Sequence, residues 1–173
     1  MKKLVAILLL LVLVTSFVAC AENDGTPEGM YDVATENATF FLYVPENWLT
    51  QSQGGVCGAM SPLGDANVIA TTYLADTYYT PVTFWDTKCK TEYATIFTEF
   101  TVVDAECAAT TLGGMNAHKY VFTAKLGGVA YKYMQVIAVD SNMVYTLQYT
   151  APIDSYATNL EDVEAIRANF TLR

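Results

Sequence analysis

Histidine occurs once, at position 118, and basic side chains number 9 against 18 acidic ones. The formal net charge of −9 sets the surface against phosphate and argues against nucleic acid or an anionic bilayer as partner. The four cysteines, Cys20, Cys57, Cys89 and Cys107, lack the close pairs of a zinc site or a dithiol redox motif. Carboxylates are scattered, with no D-x-D-x-D-like calcium loop, and glycines stand at turns without a phosphate-cradling spacing. No serine sits in a nucleophile elbow, so His118 has no triad context. Nothing in these patterns calls for a metal or a cofactor. What is plentiful is apolar material, 53% of residues with 13% aromatic, which is incompatible with global disorder.

Long apolar runs are equally scarce. The one candidate, Leu4–Val14, follows Lys2-Lys3 and is interrupted by Thr15-Ser16. A spanning helix needs about 20 apolar residues, so this is the anatomy of an export signal. Its end, Ser16-Phe17-Val18-Ala19-Cys20, resembles the lipobox of bacterial lipoproteins, with Phe17 where a small aliphatic residue is usual. The resemblance implies that residues 1–19 are removed and that Cys20 receives a diacylglyceryl group. Soluble secretion and an uncleaved anchor are the other two readings. Without Lys2 and Lys3 the balance becomes 7 basic to 18 acidic, a formal −11. Ala21 to Asn37 has no apolar period, which predicts a flexible tether over residues 20–37 and a single domain over 38–173.

Within the domain, Thr39–Val44 predicts a strand that Pro45 ends, with Trp48 closing one side of a core. Val56–Met60 and Asn67–Ala75 predict two more strands. From Pro81 to Phe100 the period changes: Trp85, Cys89, Tyr93, Ile96, Phe97 and Phe100 form a helical stripe, with Thr80 as cap and proline first. Thr101–Leu112 returns to strand alternation, with Cys107 inward and Asp104 and Glu106 outward. Strands at Asn116–Leu126, Val129–Val139 and Met143–Ala151 follow, separated by Gly127-Gly128 and Asp140-Ser141-Asn142. A two-residue turn at Gly127-Gly128 sets Phe122 opposite Tyr133. At the next turn a three-residue loop with Asn142 left-handed sets Tyr133 opposite Tyr149, gathering Tyr120, Phe122, Tyr133, Ile137, Tyr145, Leu147 and Tyr149 on one face. A last helix starts at Asn159, with Glu161 and Asp162 in its first turn and Val163 and Ile166 inward.

Two motifs carry a resemblance. Phe40–Trp48 resembles the strand-proline-tryptophan opening of PsbP-like domains, and Tyr145–Ala151 with Tyr156 and Phe170 resembles their final strand and helix. That fold is shared by an extrinsic photosystem II subunit, a Ran-binding nuclear import factor and many bacterial lipoproteins. The resemblance implies an α+β domain, a central antiparallel sheet of about six to seven strands with helices on both faces. It also implies a module that binds rather than catalyses.

Several residues remain as candidates for function. Lys119, Lys132, Thr146 and Gln148 are expected on one sheet face beside the last helix, open to an anionic protein or envelope-polymer partner. Changing both lysines to glutamate is expected to leave folding nearly intact. His118 is expected as a half-buried neighbour of Tyr120 on the aromatic face. Cys57, Cys89 and Cys107 read as three buried thiols or as one disulfide plus a thiol. If a pair bonds, Cys89 and Cys107 are the choice, since both point inward at similar reach from the reversal near Phe100. The resulting reading is a lipid-anchored, extracytoplasmic, non-catalytic binding module, held to the membrane through Cys20. An envelope hydrolase with an unmarked carboxylate site and a structural redox module are the alternatives.

Overall fold

The computed structural model describes residues 25–53 and 56–173, so the expected leader and Cys20 lie outside the described residues. The expected tether is built into the fold from residue 30. Strand β1 (Met30–Asp32) pairs antiparallel with β3 (Tyr43–Pro45), and β2 (Phe40–Phe41) pairs with the C-terminal strand Thr171–Leu172. Asp32 fixes this crossing. Its Oδ1 accepts the N–H groups of Ala34 and Leu42 at 2.9 and 3.0 Å, and its Oδ2 holds Arg173 at 3.0 Å. Pro45 ends β3, and Trp48 is 1% exposed, as the sequence predicts.

Strands β4 (Leu49–Thr50), β5 (Cys57–Met60) and β6 (Asn67–Leu74) form one side of the main sheet. The next helix has three parts: α1 (Pro81–Phe84), a π turn (Trp85–Cys89) and α2 (Lys90–Ile96). Thr80 caps it reciprocally with Thr83 at 3.1 and 2.8 Å. The helix stops short of the expected Phe100 because Ile96–Val103 is aromatic and β-branched, which suits extended backbone. Phe97 turns extended, and β7 (Thr98–Val102) begins. The expected strand 101–112 is broken by a 3₁₀ turn, Asp104–Glu106, before β8 (Ala108–Leu112).

Strands β9 (Met115–Leu126), β10 (Val129–Asp140) and β11 (Met143–Pro152) complete the sheet. Its order is β4-β5-β6-β11-β10-β9, with β7 and β8 sharing the outer edge of β9. All of these pairs are antiparallel. Gly127 and Gly128 both take positive φ, and Phe122 faces Tyr133 as expected.

The following turn differs. It has two residues, Ser141 and Asn142, with Asp140 opposite Met143, and the left-handed residue is Ser141 at φ 57°. Tyr133 therefore faces Thr150, and the expected aromatic face divides. Tyr120, Phe122, Tyr133 and Ile137 pack under α1, the π turn and α2 with Trp85 and Cys89. Tyr145, Leu147 and Tyr149 point the other way, onto α3 (Leu160–Asn169) with Val163, Ile166 and Phe170. The physical reason is that both faces of the sheet are covered. A left-handed serine costs about 1–2 kcal/mol, while each large apolar side chain fully buried contributes about 1.5–3 kcal/mol on either face. A 3₁₀ turn (Tyr156–Asn159) leads into α3, and β12 (Thr171–Leu172) ends the fold.

Candidate functional site

The revised register separates the four residues expected to meet a ligand. Lys119 and Lys132 lie on the α3 side, as expected, but Thr146 and Gln148 lie on the opposite side with Gln135 and Ile137. There Thr146 Oγ1 meets Thr71 Oγ1 at 2.8 Å, and the Tyr93 hydroxyl donates to Gln148 at 3.3 Å and to Gln135 at 3.0 Å. The lysines are also neutralised by carboxylates. Lys119 pairs with Glu164 at 3.8 Å, Lys125 with Glu99 at 2.7 Å and Lys132 with Glu106 at 2.6 Å. Lys132 lies 4.7 Å from the centre of the Tyr156 ring as well. This face is a set of ion pairs around packed aromatics and not an open anion site.

The cysteines have separate duties. Cys57, Cys89 and Cys107 are free thiols, the first of the two readings; the pair Cys89–Cys107, named only for the case that a bond forms, is not bonded. Cys57 Sγ accepts the Thr35 N–H at 3.4 Å. Cys107 follows the 3₁₀ turn that interrupts the edge ladder, and its Sγ accepts the Val121 N–H at 3.4 Å. A donor that the broken ladder would strand is thereby paired. Cys89 sits among aromatic rings, where burial pushes its thiol up to about 12.

His118 stands beside Tyr120 on the aromatic face, as the strand parity predicts, with ring centres 4.5 Å apart. Its Nδ1 lies 3.1 Å from the Lys119 carbonyl, an acceptor, so Nδ1 carries the proton. Trp85 stacks on the Tyr120 ring at 4.2 Å and 6°. A cleft of about 240 Å³ opens here between the π turn and β9, closed on one side by the chain from Val102 to Cys107. Polar groups come to it from four segments: Asp86 and Lys90, Asp104, Cys107, and His118 with Tyr120. Burial, then the nearby Asp86 carboxylate, pushes the Tyr120 phenol up to about 12. Asp86 and Lys90 were not singled out by sequence reasoning, and Tyr120 only as an aromatic of the core beside His118. The only signal was the outward phase of the helix beside the His118/Tyr120 alternation.

A larger, open pocket of about 390 Å³ lies at one end of the sheet. Ala75, Asp76, Thr77, Tyr78, Ser141 and Asn142 line it, and the Ala75 N–H donates to Asn142 at 2.8 Å. Tyr78 and Leu74 are 77% and 65% exposed around it. Among the described residues no helix is long and apolar enough to cross a membrane.

No protein-family model matches the chain, and no curated protein matches it. Solved structures do share its architecture. Cyanobacterial PsbP (CyanoP) from Synechocystis sp. PCC 6803 is 10% identical, with a TM-score of 0.60 over 92% of this chain and 99% of that one. LpqN of Mycobacterium tuberculosis, a protein involved in cell envelope biogenesis, is 18% identical, with a TM-score of 0.57 over 83% and 90%. The Ran-binding protein Mog1p of Saccharomyces cerevisiae is 6% identical, with a TM-score of 0.58 over 83% and 95%. The chain has the PsbP-like fold: an α+β domain with an antiparallel sheet between helices.

Proposed function

We propose that this chain is a non-catalytic binding or accessory module, carried on the extracytoplasmic face of a membrane by a lipid on Cys20. The observation that carries this reading is the opposed placement of the two ends of the sheet. The N-terminal segment joins the fold where the Gly29 carbonyl accepts the Glu46 N–H at 3.1 Å, next to Trp48 and β4. Leu49 pairs with Met60, and Met60 pairs with Asn67 at the start of β6. The open pocket stands past Leu74, at the other end of β6. Seven residues at strand rise separate Asn67 from Leu74 by about 23 Å. An anchor at the first end leaves Tyr78, Leu74 and their pocket facing away from the membrane, towards a protein or an envelope polymer. The structural likeness to a cell-envelope protein supports the same setting.

The test places a photo-crosslinking side chain at position 78 and, separately, at position 28, in cells that carry the native leader. Recovery in the membrane fraction, a diacylglyceryl mass on Cys20 and crosslinks from position 78 alone are expected. An unlipidated chain released from the membrane fraction, or equal crosslinking from both positions, overturns the reading.

A further inference from the structure

We propose that the end of the sheet nearest the N-terminal segment lies against the bilayer, with Leu63, Leu126, Val129 and Ile153 seated among the headgroups of zwitterionic lipid. The proposal rests on the lipid anchor at Cys20 and adds to it a direct contact between the folded domain and the membrane.

Three turns bring these four side chains to one end of the sheet. Leu63 stands in the turn between β5 and β6, Leu126 and Val129 flank Gly127-Gly128, and Ile153 follows β11. Met60 faces Asn67 and Asn67 faces Thr150, so the Leu63 turn and the end of β11 lie side by side. The Ile153 N–H donates to the Ala130 carbonyl at 3.4 Å, next to Val129. Gly64, Asp65 and Tyr131 line one notch of about 180 Å³ between the Leu63 turn and the hairpin. The four side chains are from 46% (Ile153) to 79% (Leu63) exposed. Turn tips are ordinarily filled by glycine, proline and small polar residues. Three neighbouring turns that each present an aliphatic side chain instead form an apolar surface in need of a partner.

The chain before the fold identifies that partner. Gly25, five residues after Cys20, lies at most about 18 Å from it even at full extension. A lipidated cysteine sits where headgroups meet acyl chains, and the headgroup layer takes about 5–8 Å of that reach. The Met30 N–H donates to the Pro27 carbonyl at 3.1 Å, so residues 27–30 turn back instead of extending the reach. Met30 pairs with Pro45, just before Trp48 and β4, and Leu49 pairs with Met60, just before the Leu63 turn. The entry point of the anchored chain is thus at the apolar end, which the short reach holds against the lipid.

Charge selects the lipid. Glu28, Glu46, Asp65 and Asp154 lie at the same end, and Lys125 is held by Glu99 at 2.7 Å. Carboxylates accept hydrogen bonds from the ammonium of phosphatidylethanolamine and repel an anionic headgroup. Half-buried Tyr131 adds the amphipathic ring that favours a membrane–water boundary.

The test reconstitutes the full lipidated chain, methyl-labelled at leucine, valine and isoleucine, in bilayer discs of phosphatidylethanolamine and phosphatidylcholine. A nitroxide high on the acyl chain of a few lipids broadens nuclear magnetic resonance signals near the bilayer. The Leu63, Leu126, Val129 and Ile153 methyls should broaden at least about tenfold more than those of Leu74 and Val82, since β6 alone sets the two ends about 23 Å apart. Leu63→Ser, Leu126→Ser, Val129→Ser and Ile153→Ser combined should melt close to the parent, because all four sites are exposed. The same variant should lower the broadening at Leu49 about threefold, as the apolar contact is lost. Replacing half of the lipid with phosphatidylglycerol should lower the broadening of the parent by a similar factor, about threefold. A lipidated, disc-bound chain whose four methyls broaden no more than Leu74 and Val82 overturns the contact and leaves the anchor standing. So does a folded four-serine variant with unchanged broadening at Leu49, while broadening undiminished by phosphatidylglycerol overturns the choice of lipid. A chain without a diacylglyceryl mass on Cys20 overturns anchor and contact together.

Discussion

The Trp48 indole Nε1–H donates to Asp162 Oδ2 across 2.9 Å, tying the turn after β3 to the first turn of α3. Trp48 is 1% exposed, so in the folded chain its indole N–H depends on Asp162 for a partner. Asp162→Ala should therefore destabilise the fold by about 1–3 kcal/mol, and Asp162→Asn, which keeps an acceptor, by clearly less. Urea midpoints of the three chains measure this. Equal midpoints for Asp162→Ala and the parent would show that the bond contributes nothing.

Ser141 holds φ 57° in the β10–β11 turn. Glycine adopts that conformation without a side-chain penalty, so Ser141→Gly should stabilise the chain by about 0.5–1 kcal/mol. Asn142→Gly should not, because Asn142 is not left-handed. Thermal melts that rank the two variants in the reverse order would restore the three-residue loop.

Three thiols should be countable in the described domain. Cys107 is half-buried, whereas Cys57 and Cys89 are buried and the Cys89 thiol is pushed up to about 12. A thiol reagent near neutral pH should reach Cys107 first and Cys89 only in denaturant. A disulfide-linked peptide containing any two of the three would reject this. Cys107→Val should cost about 1–3 kcal/mol, because the Val121 N–H loses its acceptor, and Cys107→Ser should recover part of it.

Five phenols, those of Tyr93, Tyr120, Tyr133, Tyr149 and Tyr156, are held above their ordinary value near 10, each chiefly by burial. Tyr120 and Tyr149 reach about 12. The folded value is raised, so the stabilisation is complete below the unfolded value and is lost as pH rises through the folded one. Unfolding free energy should hold level to about pH 9 and then fall by about 1.4 kcal/mol per pH unit for each such phenol. Phenolate absorbance should show these five ionising together with the loss of circular dichroism. All 12 tyrosines titrating with the fold intact would contradict it.

Lys132 sits between Glu106 at 2.6 Å and the Tyr156 ring, with its side chain 20% exposed. The double change of Lys119 and Lys132 to glutamate, expected to leave folding nearly intact, therefore includes one substitution that breaks a close ion pair. Lys132→Glu sets two carboxylates side by side over an aromatic ring and should cost about 1–2 kcal/mol. Lys132→Glu combined with Glu106→Lys should restore part of this. Chemical denaturation at low and high salt separates the charge contribution from the packing contribution.

Much of the fold was legible because the signals were local. Thr80-Pro81 starts a helix, Pro45 stops a strand, and paired glycines at 127 and 128 mark a two-residue hairpin turn, since glycine takes positive φ without a side-chain penalty. The His118/Tyr120 alternation and the inward faces of Trp85, Val163 and Ile166 followed from periodicity. The register of β11 did not. Asp140-Ser141-Asn142 is compatible with loops of two or three residues, and the choice rests on what covers each face of the sheet. Two helices from distant segments cover both, so Tyr145, Leu147 and Tyr149 are buried on the side opposite Phe122 and Tyr133. The same holds for charge and cavity. Glu99, Glu106 and Glu164 reach their lysines, and Asp86, Asp104 and Tyr120 reach one cleft, only once segments far apart in the chain are packed together. Turn chemistry and side-chain period are written residue by residue; the pairing of surfaces is a property of the assembled layers.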